Sequence, residues 1–147
     1  MQGRIWMTDT PLNILVIDDD DLTAEIVERS LRKVTGQFTI TVAEDGQEGL
    51  DILQGRSAKE MPRPHLILLD LNMPRMNGFE FLESVRNDAA LRDNVIFVLT
   101  TSDADTDRSR AYHEQVAGYM VKSKVGPQFA RLANLISDYS SVVQLPN

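Results

Sequence analysis

The chain has 147 residues, 42% of them hydrophobic, and its 22 acidic and 15 basic side chains give a formal net charge of −7. That length suits one domain with a sizeable core and little room for a second, so any output or DNA-binding domain is expected on another chain. With no cysteine, disulfides, thiolate nucleophiles and Cys-ligated metal centres are excluded, and neither a basic footprint for nucleic acid nor an apolar run of membrane-spanning length is present.

Residues 1–11 lack periodicity and read as a tail, with Trp6 free to dock on the body or on a partner. Arg4 and Trp6 adjoin no apolar h-region, so no secretory signal is read and a soluble, cytoplasmic protein is expected. Leu12 to Ile17 make the first apolar strand, and four acids follow it, Asp18 to Asp21. Leu22, Ile26, Ser30, Leu31 and Val34 recur at helical spacing, which predicts a helix over about 21–34 with one buried stripe. Asp20 and Asp21 suit the helix start, where free backbone N–H groups accept a carboxylate.

Phe38, Ile40 and Val42 alternate with threonines as a more exposed second strand. Asp45-Gly46 opens a short helix carrying Leu50, Ile52 and Leu53, and the polar stretch from Gly55 to Pro64 is a loop. The run from His65 to Leu69, bracketed by prolines, reads as the central buried strand, and it ends on Asp70. Alone, Asp70 reads equally as a loop cap or as a carboxylate at the strand edge where open α/β sheets place their ligand sites.

Asn77-Gly78 is a turn before Phe79, Leu82 and Val85 on one helical face, and Val95 to Leu99 supply a fourth strand ending in Thr100, Thr101 and Ser102. Asp103 to Val116 is helix-like but weakly amphipathic, with Ala111, Tyr112 and Val116 as its apolar positions. Gly118 to Val121 is a short fifth strand leading to Lys122. A last helix starts near Pro127, turning Phe129, Leu132, Leu135, Ile136 and Tyr139 inward. The domain is bounded at 12–140, and the apolar tail over 141–147 seals the last helix or an intersubunit contact. His65 and His113, far apart in sequence, are expected as surface or edge residues rather than metal ligands.

Alternating strands and helices predict right-handed crossovers and a parallel sheet with helices on both faces. Such a sheet sends every strand's carboxyl end to one edge, which brings together Asp18, Asp19, Asp70, Thr100 and Lys122. Clustered carboxylates take up protons or bind a cation, and aspartate oxygens with a backbone carbonyl and waters form the hard donor set magnesium prefers. That set suits phosphoryl transfer, with Asp70 as nucleophile, Asp18 and Asp19 for the metal, and Lys122 and Thr100 for phosphoryl oxygens. The bland alternatives are a strand-end Thr100, a core Tyr119 and a solvated Lys122; together they would leave the acids without a counter-charge.

In the acidic pair Asp18-Asp19, the block Asp70-Leu71-Asn72-Met73-Pro74, the turn before Phe79, Thr100, and Tyr119 three residues before Lys122, the chain resembles a response-regulator receiver domain of the chemotaxis type. The resemblance spans Leu12 to Tyr139 and implies a flavodoxin-like three-layer α/β sandwich with strand order 2-1-3-4-5. It further implies that Asp70 accepts phosphate from the phosphohistidine of a sensor kinase or phosphotransfer protein. Asp19 would bind Mg2+ directly, Asp18 partly through water, and Asn72 through its backbone carbonyl. Thr100 and Tyr119 would form the switch, Thr101 would leave a path to the site, and Asn72 and Ser102 would tune hydrolysis.

One departure stands out: the family's usual proline after the lysine is Ser123 here. A cis bond before serine costs roughly 3 kcal/mol or more, which favours a differently shaped trans loop. Lys124, next along, reads as an extra phosphate or partner contact or as a solvated charge. The long Gly55 to Pro64 loop, the Thr100-Thr101-Ser102 run and the extended tail resemble a stand-alone subgroup, some of whose members partner with phytochrome-type kinases. A homodimer through the fourth helix, fifth strand and last helix, or through the tail, fits that resemblance.

The leading reading is therefore a phosphorylatable signalling receiver, not an enzyme turning over external substrates. The competing readings are an unphosphorylated docking subunit, suggested by Ser123, and a phosphatase, disfavoured because Asn72 stands where a second aspartate is sought. A flavin module is disfavoured by four acids after the first strand.

Overall fold

The computed structural model describes residues 11–63 and 65–147. Arg4, Trp6 and Pro64 lie outside them.

Five parallel strands form one sheet in the order β2-β1-β3-β4-β5. They are β1 (Leu12–Ile17), β2 (Phe38–Ala43), β3 (His65–Leu69), β4 (Val95–Thr100) and β5 (Gly118–Val121). The helices are α1 (Asp21–Arg32), α2 (Gly46–Leu53), α3 (Gly78–Arg86), α4 (Asp105–His113) and α5 (Ala130–Val142). β1, β3 and β4 are apolar at nearly every position because side chains leave a strand on alternate faces and both faces are covered. Leu15, Ile17, Ile67, Leu69, Ile96 and Val98 pack with α2, α3 and Ala111 of α4, whereas Ile14, Val16, Leu66, Leu68, Phe97 and Leu99 pack with α1 and α5. The result is the three-layer, flavodoxin-like α/β sandwich.

Register fixes the functional edge. Ile17 pairs with Ala43 on one side and with Leu69 on the other. The ladder then runs one step further, with Asp18 N donating to Ala43 O at 3.0 Å and Asp70 N to Ile17 O at 2.9 Å. Asp18 and Asp70 thus start side by side on adjacent central strands. Three of the helices that start at this edge are capped by their own side chains: Asp20 accepts from Leu22 N at α1, Asp45 from Glu48 N at α2, and Asn77 with Glu80 closes a capping box at α3, whereas α4 and α5 have no side-chain cap.

Several expected inward positions face water. The buried residues of α1 are Thr23, Val27, Ser30 and Leu31. Leu22, about 100° round the helix from Thr23, is 58% exposed, and Val34 lies beyond the helix end. Tyr112 and Leu135 are exposed as well, each beside a smaller or better-centred residue that takes the core position, Ala111 and Ile136. α4 begins at Asp105 rather than Asp103, and Ala111 is its only buried residue. Its weak anchoring matches the weak amphipathicity of the sequence. Pro127 opens a 3-10 turn rather than α5 itself. Gln128 and Phe129 are left-handed, at φ 55° and 57°, before α5 begins.

His65 is a further correction: it is buried at the start of β3, where Nε2 contacts Asn94 Oδ1. His113 is exposed, as expected. Leu145 is partly buried against the α1/α5 layer, while Val142 and Val143 remain exposed. No helix among the described residues is long and apolar enough to cross a membrane.

Candidate functional site

Carboxylate oxygens of Asp18, Asp19 and Asp70 lie within 4.8 Å of one another. Asp18 and Asp70 are buried and Asp19 is exposed, so the cluster opens to solvent on one side. Asp18 is held twice: Oδ1 accepts from Asp20 N at 2.8 Å, and Oδ2 accepts from Lys122 Nζ at 2.8 Å. Asp20 in turn caps α1, which turns the run of four acids into two separate devices, a cluster and a helix start.

Asp70 accepts from Leu71 N at 2.9 Å through Oδ1. Burial pushes its carboxyl above the usual aspartate range, and the nearby Asp18 adds to the rise. Lys122, the Thr100 hydroxyl and the Leu71 N–H work against that rise. A carboxylate so placed is poorly solvated and gains strongly from an added cation. Hard oxygen donors at this spacing fit a divalent metal, and the observation that supports the fit is the like-charge crowding itself.

Thr100 is fully buried at the end of β4. Its Oγ1 lies 3.4 Å from Ser102 N, and Tyr119 Oη donates to Ser102 O at 3.0 Å. Ser102 Oγ reaches Asp107 Oδ2 at 2.6 Å, tying the loop after β4 to the first turn of α4. Burial raises the Tyr119 phenol above its ordinary range, and the contact with Ser102 offsets part of that. Thr101 and Asn72 are exposed beside the site and Ser102 is half-buried. The structure thus gathers Asp18, Asp19, Asp70, Thr100 and Lys122 on one sheet edge, with Asn72, Thr101 and Ser102 in the surrounding loops and Tyr119 on β5.

Lys122 opens a 3-10 turn, Lys122–Lys124, that occupies the position where the proline was absent. Lys124 Nζ meets Asp103 Oδ2 at 3.0 Å, so it is an exposed ion-pair partner within the chain. Two functional-edge residues escaped the sequence reading as a pair. Arg75 donates from Nε to Asp45 Oδ2 at 2.6 Å, across 30 positions of sequence. Neither periodicity nor a local motif signals that contact.

The family model for the response regulator receiver domain matches residues 14–133. The chain belongs to that family. This receiver domain is 29% identical over 137 residues to the probable methanogenesis regulatory protein FilR2 of Methanothrix harundinacea, covering 93% of this chain and 88% of that one. It is 30% identical over 141 residues to response regulator Rcp1 of Synechocystis, covering 95% and 96% respectively. Among solved structures, the Mn(2+)-bound form of Rcp1 superposes with a TM-score of 0.82 at 30% identity, covering 93% of this chain and all (100%) of that one. The phosphorylated cyanobacterial phytochrome response regulator RcpA also gives 0.82, at 26% identity, covering 94% and 100%. The chain is a phosphorylatable receiver of the two-component class, acting in its own phosphotransfer and dephosphorylation rather than on external substrates.

Proposed function

We propose that Asp70 is the phosphoryl acceptor, taking its phosphoryl group from the phosphohistidine of a sensor kinase or of a phosphotransfer protein. The observation that carries this reading is the buried Asp70 carboxylate beside Asp18 and Asp19, with their oxygens within 4.8 Å. An Asp70 oxygen attacks phosphorus in line, the P–N bond breaks, the imidazole leaves, and an acyl phosphate remains on Asp70. Asp18, Asp19, Asp70 and the backbone carbonyl of Asn72 would hold Mg2+, which would supply positive charge to the phosphoryl oxygens.

The other residues respond to the new anion. Lys122 exchanges its contact with Asp18 for a phosphoryl oxygen, and Thr100 donates its hydroxyl to another. Tyr119, bonded to the loop that begins at Thr100, follows that loop and alters the surface of α4 and β5. Thr101 leaves space for the donor, and Asn72 and Ser102 set how fast water reaches the acyl phosphate.

The cytoplasm, where kinases meet their receivers, is the proposed location. The similarity to RcpA supports a phytochrome-type kinase as donor. A downstream protein and a second copy of this chain are the proposed partners for the α4–β5–α5 face, where Tyr112 stands exposed.

The test is phosphorylation of wild type and Asp70→Asn with phosphoramidate and Mg2+, read by intact mass. One added phosphoryl group in wild type alone supports the assignment. Failure of wild type with both phosphoramidate and its cognate kinase overturns it in favour of a phosphorylation-independent docking module.

A further inference from the structure

The loop from Leu71 to Asn77 carries Asn72, and its two ends are fixed by backbone contacts. At one end Gly78 N donates to Leu71 O at 3.0 Å, and at the other Gly46 N donates to Met76 O at 2.9 Å. The second contact is so close that a Cβ on Gly46 would stand 2.5 Å from that carbonyl oxygen. Leu71 and Met76 are thereby clamped, one to the start of α3 and the other to the start of α2.

Between these clamps, Asn72, Met73, Pro74 and Arg75 have one polar tether among the described residues, the Arg75 guanidinium on Asp45. Nε and Nη2 both approach Asp45 Oδ2 at 2.6 Å, while Asp45 Oδ1 caps α2 through Glu48 N at 2.9 Å. The Asp45 side chain is only 9% exposed. One carboxylate therefore serves two elements, fixing the start of α2 and the middle of the loop.

The backbone at Arg75 strengthens the point. Its φ is 62°, a left-handed conformation that glycine adopts freely and a long side chain only at a cost. A turn needing only this backbone shape would be served best by glycine. Arginine here keeps the strained conformation and ties it to a mostly buried acid on a different element.

We propose that Arg75, through Asp45, is a positioning residue for the divalent-metal site: it holds the segment containing Asn72 in register with the Asp18, Asp19 and Asp70 carboxylates. The inference rests on the metal-binding reading above and adds to it the residue pair that pre-orders the loop. Loss of the tether lets the segment from Asn72 to Arg75 move between its clamped ends. The cation then has to order the loop as it binds, and affinity falls.

The experiment measures Mn2+ and Mg2+ affinity by titration calorimetry on wild type, Arg75→Gly, Asp45→Asn and the double variant, with Asp19→Asn as a control for loss of a metal ligand. Arg75→Gly removes the guanidinium while relieving the backbone, and Asp45→Asn keeps the helix cap while removing the charge. Each single variant should weaken binding roughly ten-fold, within the range lost when an orienting partner of a metal ligand is removed, and the double variant should lose no more than either. Phosphorylation with phosphoramidate should need correspondingly more Mg2+ for half-saturation, with the plateau rate within about two-fold of wild type.

Unchanged affinity in Arg75→Gly, or losses that multiply in the double variant, would overturn the positioning role while leaving the metal site standing. If wild type matches Asp19→Asn and neither binds the cation, the metal-binding reading fails, and this inference fails with it. A thermal melt of each variant separates loss of binding from loss of fold, and Asp45→Asn decides the matter should Arg75→Gly unfold.

Discussion

Lys122 Nζ sits 2.8 Å from Asp18 Oδ2, and the described residues show no ion pair between Lys122 and Asp70. The lysine therefore pairs directly with Asp18 and acts on Asp70, the candidate acceptor, only through space. On the proposed mechanism this implies an exchange of partners, in which a cation arriving at Asp18 would make the lysine available to an arriving anion.

That relationship predicts the behaviour of Lys122→Ala. With side-chain exposures of 15% and 3%, the pair is largely buried, and removing the lysine leaves Asp18 charged without its partner. Metal-free protein should lose roughly 3 kcal/mol, the low end for breaking a buried pair, because the lysine keeps some contact with water. Mg2+ should restore part of that stability by replacing the lost positive charge. Urea denaturation in EDTA and in excess Mg2+ measures both effects, and equal midpoints for wild type and variant in EDTA would refute the account.

Asp70→Asn should raise the stability of the metal-free protein near neutral pH by about 1 kcal/mol, the usual trade between a strained site and stability. Burial first and Asp18 second lift the folded-state pKa of Asp70 above 3.8. The folded protein then binds more protons than the unfolded chain, so the contribution of Asp70 is fully favourable below the unfolded value and is lost as pH rises through the folded one. The gap between wild type and Asp70→Asn should close on acidification toward the ordinary aspartate range. Urea midpoints measured in EDTA across that interval test the sign, and a gap that widens on acidification would contradict it.

The acid cluster was legible because parallel strands carry their carboxyl ends to one edge, so Asp18, Asp70, Thr100 and Lys122 needed only correctly assigned strands to be brought together. β1, β3 and β4 announce themselves as continuous apolar runs because helices cover both of their faces. Which helical residues turn inward was less legible. Leu22, Tyr112 and Leu135 are apolar yet exposed, since helix periodicity identifies a stripe only to within a residue and neighbours such as Thr23 and Ala111 fit the narrow gap better. The Arg75 contact with Asp45 and the burial of His65 against Asn94 were out of reach, because each joins residues about thirty positions apart without a local pattern.

His65 supplies a second pH dependence, at the opposite end of β3 from Asp70. Asn94 Nδ2 donates to Leu91 O at 2.7 Å, which leaves Asn94 Oδ1 to accept from His65 Nε2–H in the neutral ring. Burial is the main cause that lowers the pKa of His65, and the contact with Asn94 offsets part of it. Arg63 pushes the same way as burial, and Asp93 opposes it. The unfolded chain therefore takes up this proton first as pH falls. Stability linked to His65 is present above 6.5 and is lost as pH drops below that value toward the lowered folded-state pKa. In His65→Gln, which retains a donor for Asn94, the slope of stability between about pH 7 and pH 5 should flatten. Parallel slopes for the two proteins would remove His65 as the cause.

Gly78 links the fold to the chemistry most directly. It opens α3 against the end of β3, and a Cβ built there would stand 2.5 Å from the carbonyl oxygen of Asp70 and 2.7 Å from Leu71 Cα. Both obstacles are backbone, so neither yields as the tip of a flexible side chain would. Gly78→Ala must therefore move either α3 or the peptide that carries Asp70, at a cost of ~3 kcal/mol, the upper part of the range for overpacking. Moving that peptide displaces the carboxylate from Asp18 and Asp19, so phosphorylation by phosphoramidate should slow even at temperatures where the variant remains folded. Gly36→Ala is the matched control, because nothing lies within 4 Å of its built Cβ. That variant should stay within about 1 kcal/mol of wild type, with a small gain expected from a less flexible unfolded chain. Thermal melts and phosphorylation rates on the two variants separate a general cost of losing glycine from the specific approach of α3 to Asp70. If Gly78→Ala is phosphorylated at the wild-type rate while folded, the peptide of Asp70 has not moved, and α3 alone absorbs the added methyl group.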